Sequence, residues 1–288
     1  MTEKNLNYGY NFKSYFTLKS SNAKFQHGGK RVKLEENYNT SKSQNNKFKL
    51  SIITVVLNGE KYLEETILSV LNQSFKNFEY IIIDGGSKDS SLEIIKKHED
   101  KIDYWISEKD NGIYDAFNKG MKLASGEYIG IVNSDDKYLD GAFNLLKKYI
   151  NVFPDKDFIF GSVKKHWGLL HGYKPWKIYF SWGFYSSHST GFFIKRSSAK
   201  KIGLYNTKYK YSSDYDFFYR MIVKEKLKGI ATKKYEQFGI FRRGGFSSTI
   251  DFKDHFFEEI KIRLDNKQNK FLVFLIIMYK FFKHFKKL

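Results

Sequence analysis

The sequence contains no cysteine and only two prolines among its 288 residues. The lack of cysteine excludes a disulfide framework, a thiolate metal site and a cysteine nucleophile, and it fits a reducing compartment. The stretch MTEKNLNYGYNFKSYF lacks the apolar core of a secretory signal peptide, so we expect a cytoplasmic protein. No apolar run reaches the roughly 18 residues that a membrane-spanning helix needs.

Acidic residues are scarce relative to basic ones, since 31 aspartates and glutamates stand against 50 lysines and arginines, giving a net charge of +19. This balance favours an anionic partner such as nucleic acid, nucleotide phosphates or a membrane surface. No recognition-helix pattern, zinc-ligand spacing or RNP-like strand accompanies the charge, which argues against nucleic acid. Abundant aromatics, 28 Phe and 21 Tyr, provide the apolar surface of a substantial core.

Strand-like apolar runs alternate with helical patterns from residue 50 onward. LSIITVVL at 50–57 and FEYIIID at 78–84 are continuous β-branched runs, typical of strands covered on both faces. The alternation predicts an α/β domain with a mainly parallel sheet over residues 49–250. Residues 1–48 are polar and weakly periodic, so we expect a loosely ordered extension there. Residues 251–288 are predicted to be a basic, amphipathic helical tail.

Polar clusters follow the predicted strands at their carboxyl ends, where ligands of parallel sheets bind. The strand YIGIV ends on NSDD, which contains Asp135 and Asp136. One of these carboxylates has a simple explanation as a cap of the next helix. Two adjacent carboxylates repel each other, however, and a divalent cation relieves the repulsion; oxygen ligands on rigid positions suit Mg²⁺ or Mn²⁺. Spacing alone leaves both interpretations open.

Asp84 also ends a buried strand, and the Gly-rich segment DGGSKD follows it. Glycines there allow close approach of the backbone to a ligand, and a helix starts near Asp89. The alternative is a glycine turn with Asp89 as the helix N-cap. The segment is neither G-x-G-x-x-G nor a Walker sequence, so no dinucleotide fingerprint is present.

Two long segments together resemble family-2 glycosyltransferases of the GT-A fold. They are SIITVVLNGEKYLEETILSVLNQSFKNFEYIIIDGGSKDSS and SEKDNGIYDAFNKGMKLASGEYIGIVNSDD, and the similarity extends through HSTGFFIKR, SSDYDFFYRM and FRRGGFS. The resemblance implies a three-layer α/β/α fold with a mainly parallel sheet. It also implies inverting transfer of a sugar from a nucleotide-diphosphate donor, with UDP the expected nucleotide.

The resemblance assigns the first two strand ends to the donor nucleotide. The residues it implies there are Thr54, Val55, Asn58 and Asp84, with Gly86 and Ser87 nearby. NSDD matches the metal-binding motif of the family, so Asp136 is expected to be the main ligand of Mn²⁺ or Mg²⁺. Asp135 is expected at the sugar or ribose and beside the same metal. The ion would neutralise the charge that develops on the departing diphosphate.

The segment GIYDAFNKG departs from the commoner family form, which has arginine where Phe117 stands. Lys119 is therefore the expected phosphate contact. Asp115 and Asn118 are either donor contacts or local helix-cap groups. In HSTGFF, His188 contacts the diphosphate or metal, or is merely hydrogen-bonded.

Two arginines precede a Gly-Gly pair in FRRGGFS. Arg242 and Arg243 are predicted to close over the pyrophosphate, because guanidinium forks suit phosphate, although solvated surface arginines are the alternative. In SSDYDFF, Asp214 matches the expected catalytic base of the family, and Asp216 is the second candidate. Without the resemblance, both are first-turn acids favoured by the helix dipole.

The end of the sequence is apolar and basic together, with nine apolar residues at 271–279 followed by KFFKHFKKL. It is interpreted as an interfacial helix on anionic lipid, or else as a terminal helix packed on the domain. The expected setting is surface-polysaccharide assembly, such as O-antigen or capsule, at the inner face of the cytoplasmic membrane. The acceptor is then a hydroxyl of a glycan or lipid-linked oligosaccharide. The alternative is a non-catalytic nucleotide-sugar- or membrane-binding protein on the same fold.

Overall fold

The computed structural model of the chain describes residues 14–18, 25–36, 49–180, 189–245 and 250–284. The strands are β1 Gln26–Gly28, β2 Leu50–Val56, β3 Phe78–Asp84, β4 Tyr104–Ser107, β5 Tyr128–Asn133, β6 Lys137–Tyr138, β7 Phe158–Phe160, β8 Ser162–Lys165, β9 Gly168–Leu170, β10 Phe192–Lys195, β11 Gly229–Ala231 and β12 Gln237–Ile240. The α-helices are α1 Lys30–Glu36, α2 Glu60–Leu71, α3 Ser91–Lys97, α4 Ile113–Leu123, α5 Ala142–Val152, α6 Arg196–Ile202, α7 Ser213–Tyr219, α8 Phe252–Asp265 and α9 Lys270–His284.

A large mixed sheet forms the centre of the domain, in the order β1-β4-β3-β2-β5-β10-β7-β11 within the described residues. Strands β4, β3, β2 and β5 are parallel neighbours, while β10 runs antiparallel between β5 and β7. Every residue of β2 is buried, as the apolar run 50–57 predicts for a strand covered on both faces. The predicted α/β class is confirmed.

Helices cover both faces of this sheet and give two separate cores. Because successive side chains of a strand point to opposite faces, Ile53 belongs to one core and its neighbour Ile52 to the other. The first core contains Phe117 of α4 and Phe217 of α7, and the second contains Phe143 of α5. The result is a helix–sheet–helix arrangement, which is the predicted three-layer architecture.

Part of the predicted N-terminal extension belongs to the domain, contrary to the expectation of loose order. Strand β1 pairs antiparallel with β4, where Gln26 lies opposite Ser107. In α1, the buried Arg31 forms an ion pair with the fully buried Glu79 and donates to the carbonyl of Leu123 at 3.0 Å. Phe25 and Val32 also pack against the core, but the mainly polar composition gives no periodic apolar signal, so the sequence does not predict this docking. Residues 1–13 and 37–48 lie outside the described residues.

A second, smaller sheet has the order β6-β12-β8-β9. Strand β6 follows directly after the carboxyl end of β5, and β12 pairs with both β6 and β8. This sheet therefore carries the β8–β9 hairpin and the loop after β12 to the edge where the parallel strands end.

The predicted tail consists of two helices, α8 and α9. Helix α8 is docked on the domain through the fully buried Arg263, which donates to the carbonyl of Tyr179 at 2.6 Å. Helix α9 buries Val273 and Ile276 but exposes Phe274 and Phe282, the latter at 70%. Within the described ranges, no helix combines the length and apolarity that crossing a membrane requires.

Candidate active site

A cavity of about 1280 Å³ opens at the carboxyl ends of the parallel strands. Three of the predicted polar clusters reach its wall, and α7, α8 and the loop after β12 complete it. Its lining includes Val55, Asn58, Asp110, Tyr114, Asp135, Asp214, Arg243 and His255. The size suits a ligand larger than a simple metabolite, such as a nucleotide carrying a sugar.

Asp84 fixes the loop after β3 from beneath. Its fully buried carboxylate accepts hydrogen bonds from the hydroxyls of Ser87 and Ser107, each at 2.5 Å. The Ser87 hydroxyl in turn accepts the backbone N–H of Asn58 at 2.8 Å. Thr54 is also buried and shares a hydrogen bond with the hydroxyl of Tyr80 at 2.9 Å. Four residues at these strand ends are predicted to bind the sugar-nucleotide donor. Val55 and Asn58 line the cavity, whereas the buried Asp84 and Thr54 do not.

The loops after β2 and β3 are tied to each other. Asn58 adopts a left-handed backbone with φ of 52°, and its side-chain oxygen accepts the N–H of Lys88 at 2.8 Å. Gly86 has φ of 84°, a conformation that glycine adopts without strain. Asp89 accepts from the N–H groups of Ser91 and Glu60, both at 3.0 Å, so it joins the starts of α2 and α3. The N-cap residue of α3 is Ser90, not Asp89. This rigid rim is preorganised for a ligand.

The two neighbouring aspartates after β5 face different surroundings. Asp136 is fully buried, and its carboxylate accepts from the Thr190 hydroxyl and from the backbone N–H of Arg242, both at 3.1 Å. Asp135 lines the cavity instead, and a Cβ placed on Gly245 would lie 2.1 Å from its Oδ2. The geometry therefore presents Asp135 to a ligand, whereas the sequence interpretation gave Asp136 the leading role. The conformation of the turn after β5 determines which of the two carboxylates reaches the cavity, and the motif NSDD alone does not predict that conformation.

The side-chain oxygen atoms of Asp135 and Asn133 suit a hard divalent cation that takes only a few of its ligands from the protein. The side-chain oxygen of Asn133 is buried and has no hydrogen-bond partner among the described residues, while its nitrogen donates to Ser189 at 3.3 Å. Carboxylate and amide oxygens are ligands that Mg²⁺ and Mn²⁺ accept, with phosphate and water completing the shell. The described part of the chain contains no group of three or more His, Asp or Glu able to hold a metal. His188 lies outside the described residues.

Asp110 is a cavity residue that the sequence interpretation did not single out. Burial raises the pKa of its carboxyl, with Asp115 and Asp84 adding to the effect, while the N–H of Gly112 and the charge of Lys119 act the other way. The Gly112 N–H donates to it at 2.9 Å, and a Cβ on Gly85 would lie 2.5 Å from its other oxygen. The signal was present, because Asp110 belongs to the polar cluster that follows β4.

Three residues of α4 predicted to contact the sugar-nucleotide donor bond to other protein groups instead. Asn118 is buried and holds Tyr205 by both amide atoms, donating to its carbonyl at 2.9 Å and accepting its N–H at 2.8 Å. Asp115 accepts the N–H of Asn111 at 3.1 Å, as a local helix-start group does. Lys119 forms an ion pair with Glu108 at 2.9 Å. Asp115 thus fits the helix-cap alternative, whereas Asn118 joins α4 to the segment between α6 and α7. Tyr114 and Phe117 line the cavity wall from this helix.

The two candidate bases of α7 are separated by burial. Asp214 lines the cavity and accepts hydrogen bonds from the Tyr114 hydroxyl at 3.3 Å and from the N–H of Tyr215 at 2.8 Å. Asp216 is buried and accepts from Arg220 at 2.9 Å and from Asn266 of the α8–α9 turn at 2.8 Å. Asp216 therefore links α7 to the tail, and Asp214 is the carboxylate that a substrate can reach.

Helix α8 supports the segment before Asp214. The Glu258 carboxylate accepts the N–H groups of Lys210, Tyr211 and Ser212 at 2.6, 2.6 and 2.7 Å. His255 shares a hydrogen bond of 3.0 Å with the Ser212 hydroxyl and lines the cavity. The sequence interpretation missed both residues because it treated the tail as a separate surface element.

The two arginines of the loop after β12 divide their tasks. Arg242 donates to the carbonyl of Asp135 at 2.8 Å, forms an ion pair with Glu65 and lies over the Tyr62 ring at 4.7 Å. It is thus held by the protein and braces the turn that carries Asp135. Arg243 lines the cavity.

Residues 51–231 match the family model described as glycosyl transferase family 2. An uncharacterized glycosyltransferase of Rickettsia typhi is 31% identical over 186 residues, which cover 60% of this chain and 58% of that protein. One of Methanocaldococcus jannaschii is 32% identical over 179 residues, covering 58% of this chain and 61% of that protein. The aligned part thus spans less than two thirds of these relatives' length.

Solved structures share the fold at low sequence identity. S. aureus TarS 1–349, in complex with UDP-GlcNAc, superposes with a TM-score of 0.61 at 17% identity, covering 83% of this chain and 73% of that one. The mannosyltransferase PcManGT of Pyrobaculum calidifontis, in complex with GDP-Man and Mn²⁺, gives 0.59 at 13% identity, covering 81% and 70%. The predicted GT-A fold and the resemblance to family-2 sequences are confirmed.

Proposed function

The chain belongs to glycosyl transferase family 2, and we propose that it transfers a sugar from a nucleotide-diphosphate donor to a hydroxyl group with inversion. One observation carries the proposal: Asp135 and Asp214 of α7 line the same cavity at the strand ends, and so does Asn133, whose side-chain oxygen has no hydrogen-bond partner among the described residues. Inverting transfer needs such an arrangement, with the leaving group held at one place and a carboxylate base at another.

The donor nucleotide is proposed to be UDP. Support comes from TarS, whose structures hold UDP and UDP-GlcNAc, although PcManGT holds GDP-Man. The rim formed by Val55 and Asn58 would take the base and ribose, with Asp84 and Ser87 holding the loop in place.

A divalent ion, Mn²⁺ or Mg²⁺, would be held by Asp135 together with the Asn133 oxygen. When bound, it neutralises negative charge on the departing diphosphate. Asp136 would keep the supporting turn in place through Thr190 and Arg242, rather than ligate the ion as the sequence interpretation expected. Arg243 would contact the diphosphate from the cavity wall.

Asp214 is proposed to remove the proton of the acceptor hydroxyl. The acceptor oxygen then forms a bond to the anomeric carbon while the bond from that carbon to the diphosphate oxygen breaks on the opposite face. The electron pair of the broken bond leaves with the nucleotide diphosphate. The Tyr114 hydroxyl lies within hydrogen-bond distance of both Asp214 and the carbonyl of Tyr211, and its single proton can be donated to either.

We further propose a setting at the inner face of the cytoplasmic membrane, in the assembly of a cell-surface polysaccharide. Support comes from α9, whose exposed rings Phe271, Phe274 and Phe282 accompany lysines and no acidic residue. Aromatic rings enter the headgroup region while lysines contact anionic lipid. The acceptor would then be a hydroxyl of a glycan or lipid-linked oligosaccharide.

A panel of UDP-, GDP- and dTDP-sugars tests the proposal, with release of nucleotide diphosphate measured in Mn²⁺, Mg²⁺ or EDTA. We expect metal-dependent release from at least one donor, and a loss of about a hundredfold or more in Asp135→Asn. The exposed Asp140→Asn is the matched control and should behave as wild type. Binding without release would favour the non-catalytic alternative, and full activity of Asp135→Asn would overturn the metal assignment.

A further inference from the structure

Lys165 lies at the end of β8 and lines the cavity from the side of the smaller sheet. Its ammonium lies 4.1 Å from the ring centroid of Phe241 and 5.4 Å from that of Trp167. Trp167 also lines the cavity and is 61% exposed. Cation–π contact with two rings, the closer one to Phe241, therefore favours this position of the ammonium at the cavity wall.

No hydrogen bond or ion pair engages the Lys165 ammonium within the part of the chain that the structure describes. Other partly buried lysines near the cavity differ: Lys119 pairs with Glu108, and Lys280 pairs with Glu259. Burial lowers the pKa of Lys165, and the charge of Asp136 opposes that shift. Removing an ammonium from water without a paired anion is costly, so an anionic oxygen bound to Lys165 would stabilise its charged form.

The nearby carboxylates do not fill this role. Asp136 is engaged by Thr190 and Arg242, and Asp135 lines the cavity, where the proposed function assigns it to the divalent ion. Arg243 also lines the cavity and carries a second positive charge. An anionic group that enters the cavity would therefore find two cationic side chains, Lys165 and Arg243, in its lining.

We propose that Lys165 binds an anionic oxygen of the sugar-nucleotide donor, either in its diphosphate or in a carboxylate of the transferred sugar. The inference rests on the proposed function, since it takes the donor to be a sugar nucleotide. Trp167 and Phe241 contribute ring faces that suit the apolar face of a sugar ring.

Isothermal titration with Mn²⁺ tests this assignment in the full chain. Lys165→Met keeps the apolar stem against Phe241 and removes the charge, while Lys165→Arg keeps the charge. The neighbouring Lys164 is exposed, so Lys164→Met is the matched control. We expect Lys165→Met to weaken binding of the affected ligand about tenfold, because one charge-assisted hydrogen bond is lost. The affinities of Lys165→Arg and Lys164→Met should stay within about twofold of wild type. Thermal melting checks that every variant is folded.

Four ligands separate the two sources of the anion: uridine, UDP, UDP-glucose and UDP-glucuronate, or the corresponding series for whichever nucleotide wild type binds. Weaker UDP binding in Lys165→Met, with uridine unchanged, identifies the diphosphate. Unchanged UDP binding, with loss of a wild-type preference for UDP-glucuronate over UDP-glucose, identifies a sugar carboxylate. Any other pattern in a protein that binds nucleotides overturns the Lys165 site alone. Failure of wild type to bind UDP, GDP or dTDP would instead refute the proposed function and this site with it.

Discussion

The carboxylate of Glu258 accepts the backbone N–H of Ser212 at 2.7 Å, two residues before Asp214. The same carboxylate also accepts the N–H groups of Lys210 and Tyr211. Amide groups before a helix start have no intrahelical partner, so a carboxylate from another helix can order them. Helix α8 thus orders the segment that leads into α7 and Asp214. The tail is in this respect a part of the active-site architecture.

Replacing Glu258 by alanine should lower kcat about tenfold while leaving the donor KM within about twofold, because Asp214 loses its fixed position but the nucleotide rim is untouched. Glu258→Gln retains one acceptor oxygen, so its kcat should lie between those of wild type and Glu258→Ala. Steady-state kinetics measure the split, with the exposed Glu225→Gln as control. Equal rises in donor KM and loss of kcat would point to general unfolding instead of misplacement of the base.

Asp214→Asn should reduce turnover by about a thousandfold, because general-base catalysis contributes roughly 10²–10⁴ and the amide cannot accept the proton. Donor affinity, measured by titration calorimetry, should stay at the wild-type value. Retention of more than a tenth of wild-type turnover would exclude Asp214 as the base.

Asp216→Asn should act on stability rather than on chemistry. Breaking its buried pair with Arg220 costs about 3–5 kcal/mol, since the guanidinium is left without its charge partner. Urea unfolding measures the change, and the residual folded protein should keep most of its turnover. A stable but inactive Asp216→Asn would indicate that Asp216 is the base and that Asp214 has the structural role.

Much of the fold follows from the sequence because local signals and global structure agree there. Burial of β2 and β3 on both faces appears as unbroken β-branched runs, and each strand end carries its polar cluster. The direction of a side chain at a turn is not encoded locally, so the motif NSDD does not show that Asp135 lines the cavity while Asp136 is buried. Contacts between distant segments, such as Glu258 with Ser212, leave no periodic signature.

The raised pKa of Asp110 predicts a pH-dependent stability difference. Its folded form binds the proton more tightly than its unfolded form, so its contribution to stability falls as pH rises from the unfolded value near 3.8 through the folded pKa. Asp110→Asn removes this penalty. The variant should therefore be more stable than wild type at neutral pH, with the difference vanishing below about pH 3.8. Thermal melting from pH 3 to 8 measures it, and a constant difference across that range would contradict the burial of a titrating carboxyl.

Arg31 tests whether the N-terminal segment belongs to the domain. Arg31→Met should destabilise the protein by about 3–5 kcal/mol, because Glu79 keeps a buried charge without its cation. The exposed pair of Lys33 with Asp100 is the matched control, and Lys33→Met should cost no more than about 1 kcal/mol. Urea unfolding compares them. Combining Arg31→Met with Glu79→Gln should recover part of the loss, and equal effects of the two single substitutions would show that the segment is not docked.

The exposed rings of α9 allow the membrane proposal to be tested without removing the helix. Deleting residues 271–288 would also remove Lys280, whose partner Glu259 lines the cavity, so truncation confuses membrane binding with damage to the site. The triple substitution Phe271→Ser, Phe274→Ser and Phe282→Ser leaves the buried Val273 and Ile276 in place.

This triple variant should lose most of its sedimentation with vesicles containing phosphatidylserine or phosphatidylglycerol, because each ring contributes apolar burial to the bilayer interface. Donor affinity should remain unchanged. Tyr235 is 72% exposed on another part of the surface, so Tyr235→Ser is the control and should sediment as wild type. Raising the salt concentration should weaken binding of wild type as well, since lysines contribute electrostatic attraction. Undiminished sedimentation of the triple variant would show that α9 packs on protein and does not contact lipid.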